Sequence, residues 1–316
     1  MQMSLPKYRD NLPQLGQRIF ITDGGLETVF VFQKHVELPL FAAFDLLSRE
    51  NGVAMLKDYY ASYVDLALRN GTGLILDTAT WRASSGWGKQ LGYAPAQLTQ
   101  LNQLNVKILE DIREARATEQ SPMVINGVIG PQDDGYNPAS KMDASTARAY
   151  HQPQIDAFAD TAADMVSAVT MTYVDEALGI TEAANRAGIP VAISFTVETD
   201  GRLPDGTALE DAIHDVDSET TKSPAYYMIN CAHPTHFDHV LDAPWTDRIY
   251  GVRANASCKS HAELDEAVEL DDGDPTEFGR LVAGLRRKLR NLTVVGGCCG
   301  TDHRHVGEVC RNLSGA

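Results

Sequence analysis

The sequence predicts a (β/α)8 TIM barrel that forms a single domain over residues 1–316. Eight short β-branched or apolar segments alternate with longer amphipathic segments, and eight parallel strands is the number that closes such a barrel. A doubly wound open sheet fits less well, because no glycine-rich phosphate-binding motif follows the first strand. The predicted strands are Arg18–Thr22, Gly73–Ala79, Met123–Val128, Met165–Thr170, Pro190–Thr196, Tyr226–Asn230, Arg248–Ala254 and Leu292–Gly296.

Amphipathic segments between these strands predict the outer layer of helices. They are Val53–Arg69, Pro95–Ala115, Ala144–Ala163, Asp175–Ala187 and Pro275–Arg290. Two further segments, Arg82–Pro95 and Thr199–Asp215, follow the second and fifth strands and are predicted to be long loops. In a barrel these loops lie at the C-terminal ends of the strands, which is the face that carries active sites.

Composition and charge exclude several classes of function. The net charge of −16 argues against binding to nucleic acid or to anionic membranes, because both require a basic surface. The sequence has no apolar run long enough for a membrane span and no signal-peptide pattern, so we expect a cytoplasmic protein. The acidic stretch Glu263–Glu277 is predicted to be a solvated loop or helix face. Whether the chain forms a homo-oligomer is left open.

Three of the five cysteines directly follow predicted strands. Cys231 ends the sixth strand, and Cys298 and Cys299 follow the eighth within a Gly-Gly-Cys-Cys-Gly segment whose glycines permit a sharp turn. Three thiolates with one vacant position are typical of a catalytic Zn²⁺ site. An odd number of cysteines without a secretory signal argues against a disulfide framework. Cys258 and Cys310 are interpreted as structural.

Two other interpretations of these residues remain open. The cysteines can be small apolar residues of the core, where free cysteine is common. A competing metal set would combine Cys231 with nearby histidines, since Pro234 is predicted to open a helix there. Its members would be His233 and His236, with His239, His303 or His305. His303 and His305 are expected to be exposed in the first turn of the last helix.

These motifs resemble the homocysteine S-methyltransferase family over nearly the whole chain. They are Ile21–Thr28 (ITDGGLET), Thr80–Ser84 (TWRAS), Asn230–Cys231 and Gly296–Gly300 (GGCCG), of which the last is the most specific. The resemblance implies a barrel that holds Zn²⁺ on Cys231, Cys298 and Cys299. It also implies that Asp23, with Gly24 beside it, binds the amine of an acceptor amino acid at the end of the first strand.

The sequence departs from the family in its candidate substrate-binding residues. Val169 stands where the family usually has a glutamate that holds the amino acid, and Glu27 replaces a small residue. Asp77 and Glu198 are candidates to replace the missing carboxylate, and Thr170 and Trp81 are further candidates near strand ends. An aromatic wall around a cationic donor could be built from Trp81, Trp87, Tyr173 and Phe195.

The function implied is methyl transfer from a sulfonium or ammonium donor to a thiol, with homocysteine giving methionine as the simplest case. Zn²⁺ would supply the thiolate, which is the nucleophile. The partners are then small molecules, a thiol acceptor and a methyl donor. One alternative is a zinc- or thiol-binding barrel that uses a different acceptor or lacks this activity. A zinc hydrolase or lyase is the other, although three thiolates make zinc a poor Lewis acid.

Overall fold

The computed structural model describes residues 5–136, 140–242 and 244–314, and its core is a closed barrel of eight parallel strands. Each strand pairs with the next along the chain, and β8 closes the barrel against β1. The predicted (β/α)8 barrel is confirmed. The strands are β1 Phe20–Ile21, β2 Gly73–Asp77, β3 Met123–Ile129, β4 Met165–Met171, β5 Val191–Phe195, β6 Tyr226–Asn230, β7 Ile249–Ala254 and β8 Val294–Gly297.

Helices surround the barrel, as the alternating pattern predicts. The prediction for Arg82–Pro95 is wrong in part, because residues 85–90 form a short helix in which Gly88 lies against Leu98. The segment Thr199–Asp215 also runs into a helix, since its apolar residues from Leu209 onward recur at helical spacing. The helices are α1 Leu26–Thr28, α2 Gly52–Asn70, α3 Ser85–Gln90, α4 Pro95–Arg116, α5 Ala144–Ala159, α6 Val174–Ala187, α7 Leu209–Glu219, α8 Pro234–Phe237, α9 His261–Asp265, α10 Pro275–Gly284 and α11 His303–Ser314.

The long outer helices bury one face against the barrel. In α2 the buried side chains include Leu56, Tyr60, Tyr63 and Ala67, whose spacing of three and four residues forms one stripe. Within the ranges described, the chain contains no helix that is both long and apolar enough to cross a membrane.

The lower half of the barrel interior is apolar and is closed by the chain that precedes β1. Tyr8 and Leu12 pack in the same cluster as Met165 and Tyr226 from the strands above them. The Asp164 carboxylate accepts hydrogen bonds from the backbone N–H groups of residues 7 and 8, each at 2.7 Å. This end of the barrel is therefore filled, and the opposite end carries the polar residues.

The upper layer of the barrel interior is a hydrogen-bonded polar network. Asn126 donates to Asp77 Oδ1 at 2.6 Å and to Ser167 Oγ at 2.7 Å. Across the barrel, Ser194 donates to Asn230 Oδ1 at 2.6 Å. Buried polar groups need partners of this kind to offset the loss of hydration. The network forms a rigid polar floor under the C-terminal ends of the strands.

Candidate metal centre and substrate cavity

The three cysteines predicted from strand ends meet at the C-terminal rim of the barrel. Cys231 follows β6, and Cys298 and Cys299 follow β8. Their sulfur atoms all lie within 4.8 Å of one another. Within the described part of the chain, this is the only group of three or more Cys, His, Asp or Glu side chains close enough to share a metal ion.

Cys231 and Cys298 are joined by a disulfide, whereas the sequence predicted free thiols. The difference arises because β6 and β8 end so close together that the two Cα atoms are 5.4 Å apart, within the range that a disulfide spans. The Cys299 sulfur is free and lies 4.0 Å from the Cys231 sulfur. Reduction of the disulfide would present three thiols to a metal, with a fourth position left for a substrate.

The backbone at Cys231 is held in a left-handed conformation, with φ of 53°. Its carbonyl oxygen accepts hydrogen bonds from Asn255 Nδ2 at 2.9 Å and from His261 Nε2 at 2.7 Å. The other nitrogen of His261 lies 2.9 Å from Glu198 Oε1. Such a conformation is strained for a residue with a side chain and persists only when its surroundings hold it. Glu198 thus lies behind the cysteine cluster and contacts it through His261.

The turn that carries Cys298 and Cys299 is held from both sides. Cys298 donates its backbone N–H to Ala254 O at 2.8 Å, and its carbonyl accepts from Thr301 Oγ1 at 2.7 Å. On the other side the backbone of Gly25 approaches closely, so that a Cβ added there would lie 2.5 Å from the Cys298 carbonyl oxygen. The glycine after β1 therefore sets how near the first strand can come to the cysteines.

Replacing Gly25 by alanine is expected to push the Cys298 turn away from β1. Because the added Cβ would also lie 2.4 Å from the buried Thr28 Oγ1, and the Cys298 carbonyl belongs to the backbone, we expect a loss of about 1–3 kcal/mol in the free energy of unfolding and weaker metal binding. Urea denaturation and zinc titration with a competing chelator would measure the two effects. Gly307→Ala in α11 is the control, since its nearest atom lies at an ordinary 3.6 Å. Equal behaviour of the two variants would contradict the close approach.

Hydrogen-bond donors surround the sulfur atoms. The Tyr136 hydroxyl lies 3.4 Å from Cys299 Sγ, and Asn230 Nδ2 lies 3.9 Å from Cys298 Sγ. Thr170 Oγ1 lies 4.0 Å from Cys231 Sγ, and its backbone, with φ of 65°, is held by a bond to Asn230. Burial raises the pKa of the Cys299 thiol, and the nearby Glu27 carboxylate acts in the same direction. A bound cation would reverse this effect by favouring the thiolate.

A cavity of about 390 Å³ opens above the cysteines. Every strand except β5 contributes residues to the part of the lining that the structure describes, either from the strand itself or from the loop after it. Of the sequence-predicted substrate residues, Glu198 lies outside this lining. Those that line the cavity are Asp23, Gly24, Asp77, Trp81 and Thr170, together with Val169.

A buried ion cluster, missed in the sequence, forms one wall of the cavity. Arg253 of β7 lies between two of the predicted carboxylates, 2.5 Å from Asp23 Oδ1 and 2.5 Å from Asp77 Oδ2. Tyr59 also donates to Asp23, at 3.1 Å. Burial raises the pKa of Asp23 to about 7, and the Arg253 guanidinium opposes that rise. The available signal was a single charged residue in the otherwise uncharged strand segment of β7.

The acidic stretch after β7 takes part in the cavity, contrary to the prediction that it is only a solvated surface. Asp265, Glu269 and Asp271 line the mouth. The stretch is held over the rim because Ser257 Oγ donates to Asp271 Oδ2 at 2.7 Å and the backbone of Asp271 packs against Gly300. With Asp134 from the β3 loop, these residues make the entrance acidic.

The predicted aromatic wall does not form. Trp81 lines the cavity, but the Arg82 guanidinium lies over its ring at 4.8 Å and over the Trp87 ring at 4.1 Å. Tyr173 accepts a hydrogen bond from a backbone N–H at 3.1 Å, and Phe195 is fully buried against Tyr227. The Arg82 guanidinium therefore occupies the tryptophan ring faces that were predicted to contact a cationic donor.

The histidines near the site have other partners. His233 Nδ1 lies 2.7 Å from Thr235 Oγ1, and His236 Nε2 lies 2.9 Å from a backbone carbonyl. His305 is buried, which differs from the expected exposure, because its Nε2 atom lies 2.7 Å from the Asp272 carbonyl oxygen. His303 is exposed as expected. Of the two cysteines interpreted as structural, Cys258 is exposed and Cys310 is buried in the core.

Fold and site together define a parallel barrel protein with a three-cysteine cluster under a substrate-sized cavity. The chain belongs to the homocysteine S-methyltransferase family, whose family model matches residues 20–313. The resemblance stated from the motifs is confirmed by this match. A comparison with curated protein sequences finds no significant match.

Solved structures of one protein, the homocysteine methyltransferase MmuM from Escherichia coli, share the fold. Its metallated form has a TM-score of 0.71 at 19% sequence identity, with 93% of this chain and 96% of that chain covered. The oxidized form has a TM-score of 0.71 at 20% identity, covering 93% and 95%. The apo form has a TM-score of 0.67 at 18% identity, covering 96% and 100%. At 18–20% sequence identity, this structural similarity supports a shared fold and nothing beyond it.

Proposed function

We propose that this protein transfers a methyl group from a sulfonium or ammonium donor to a thiol activated by Zn²⁺ on Cys231, Cys298 and Cys299, with homocysteine as the acceptor. The observation that carries the proposal is the cluster of three cysteine sulfurs, within 4.8 Å of one another, at the base of the cavity. Thiolates are soft ligands that suit zinc, and three of them leave a fourth position for the acceptor.

Bound zinc would stabilise the thiolate form of the acceptor at neutral pH, which removes the need for a general base. The residues of the chain would then orient the reactants. Asn230 and Tyr136 direct N–H and O–H groups toward the ligand sulfurs, and His261 fixes the carbonyl of Cys231. Such contacts fix ligand orientation and tune metal affinity. An onium donor carries its own leaving group, so no general acid is required.

The charge of the cavity favours a cationic donor. The carboxylates of Asp134, Asp265 and Glu269 lie around the entrance, and Arg82 is stacked on the tryptophans. A negative entrance raises the local concentration of cations and the rate at which they arrive. We therefore expect the donor to enter past the acidic loop and to meet the acceptor sulfur at the cysteine cluster.

Removal of the metal is expected to abolish methyl transfer. The protein would be reduced, stripped with a chelator and assayed by mass spectrometry against a panel of onium donors and thiol acceptors. Stripping should lower the rate by roughly 100-fold or more, and added Zn²⁺ should restore it. Full activity of the metal-free protein would overturn the proposal. Hydrolysis of an ester or amide without any thiol would favour a zinc hydrolase instead.

A further inference from the structure

Glu27 has a position in the cavity that the cysteine site does not explain. It lies two residues after the Gly24–Gly25 pair and lines the same cavity as Asp23 and Cys299. Within the described residues, its carboxylate accepts a hydrogen bond from its own backbone N–H. Its interactions with Arg82 and Arg253 are electrostatic and involve no direct ion pair. The Glu27 side chain is half-buried, and partial removal of a carboxylate from water without a paired cation costs free energy. Its position therefore suits a positively charged ligand.

The residue expected to bind the substrate amine is poorly placed to do so in this chain. Asp23 already accepts from Arg253 at 2.5 Å and from Tyr59 at 3.1 Å. An ammonium ion brought to Asp23 would lie next to the guanidinium, and like charges at short range repel. Val169 lines the same cavity and offers no acceptor in its side chain.

We propose that Glu27, rather than Asp23, binds the ammonium group of the acceptor, so that the site selects aminothiols. This inference rests on the proposed methyl transfer, because it places the acceptor sulfur at the cysteine cluster. Glu27 then determines specificity, and the Asp23–Arg253–Asp77 cluster forms a fixed wall beside it.

The location of Glu27 suits the acceptor rather than the donor. Gly25, two residues before it, packs against the Cys298 carbonyl, which ties Glu27 to the cysteine turn. The negative charge of Glu27 contributes to raising the pKa of both the Cys299 thiol and the Asp23 carboxyl. In an aminothiol such as homocysteine only a few bonds separate sulfur from nitrogen, so both groups must lie near the cluster. The carboxylates of Asp134 and Glu269 lie on the entrance loops and face the incoming donor instead.

The test compares two acceptors that differ in the amine. Binding of homocysteine and of 4-mercaptobutyrate to the reduced, zinc-loaded protein would be measured by calorimetry. Wild-type protein should bind homocysteine at least about 10-fold more tightly. Glu27→Gln should weaken homocysteine binding by roughly 10- to 100-fold and leave 4-mercaptobutyrate binding unchanged. The double variant Glu27→Gln, Val169→Glu should regain part of the loss, because it returns a carboxylate to the cavity.

Glu210→Gln is the matched control, since it removes an exposed carboxylate of α7 outside the cavity lining and should leave homocysteine binding unchanged. The thermal midpoint gives a second measurement: Glu27→Gln should not lower it, because the structure shows no ion pair between the Glu27 carboxylate and any residue it describes. The role of Glu27 would be overturned if Glu27→Gln weakened the binding of both thiols equally or of neither. It would also be overturned if the wild-type protein bound the two thiols with equal affinity. Binding that depends on Glu27 without any methyl transfer would instead overturn the proposed function alone.

Discussion

Replacement of Cys299 by serine is expected to remove most of the zinc from the purified protein and to lower methyl transfer by about 1,000-fold or more. A neutral hydroxyl is a much weaker ligand than a thiolate. The remaining pair, Cys231 and Cys298, is joined by a disulfide in the structure. In reductant the variant therefore offers only two thiolates, fewer than a zinc site usually has.

Zinc per chain, measured by mass spectrometry after gel filtration in reductant, would be compared with the initial rate of methyl transfer. Cys258→Ser is the matched control, because Cys258 is exposed and lies outside the cluster. It should retain both the metal and the activity. One zinc per chain in the Cys299→Ser variant would show that Cys299 is not a ligand.

Replacement of Arg253 by methionine is expected to destabilise the protein by about 3–5 kcal/mol near pH 8. The substitution leaves Asp23 and Asp77 buried beside each other without their shared cation, and Glu27 adds a third negative charge. The control is Arg116→Met, which breaks an exposed pair with Asp65 and should cost less than about 1 kcal/mol.

The loss in the Arg253→Met variant should shrink as the pH falls. Burial raises the pKa of Asp23 to about 7 and also raises that of Asp77, while Arg253 opposes both shifts. Without Arg253 the folded state binds protons more tightly than the unfolded state, so its stability declines as pH rises from about 4 through the raised pKa values. Urea denaturation at about pH 5.5 and pH 8 would measure the difference between variant and wild type. A loss independent of pH would contradict this account.

The barrel and the cysteine cluster could be predicted from the sequence because both depend on local order. Strand ends in a parallel barrel all meet at one rim, so Cys231 after β6 and Cys298 after β8 had to lie on the same face. The glycine-rich turn around Cys298 and Cys299 was visible in the sequence for the same reason. The histidine alternative failed because His233 and His236 are held by nearby partners of their own.

The polar side of the cavity could not be predicted, because it depends on pairs far apart in the chain. Arg253 meets Asp23 and Asp77 across separations of 230 and 176 residues, and no motif marks such a pair. Glu198 was a candidate because it follows a strand. That strand is β5, whose loop turns away from the cavity and brings Glu198 to His261. The acidic stretch was misjudged because charge alone does not reveal how a loop folds back over a rim.

The closure of the barrel has a consequence for the order of events during biosynthesis. β8 pairs with β1, joining Val294 to Phe20, and the turn after β8 packs against Gly25. A ribosome delivers β1 early and β8 late, so a nascent chain displays Cys231 before its two partner sulfurs exist. The sulfur cluster is completed only when the last strand docks on the first. If the cluster binds a metal as proposed, binding would therefore require that the barrel has closed.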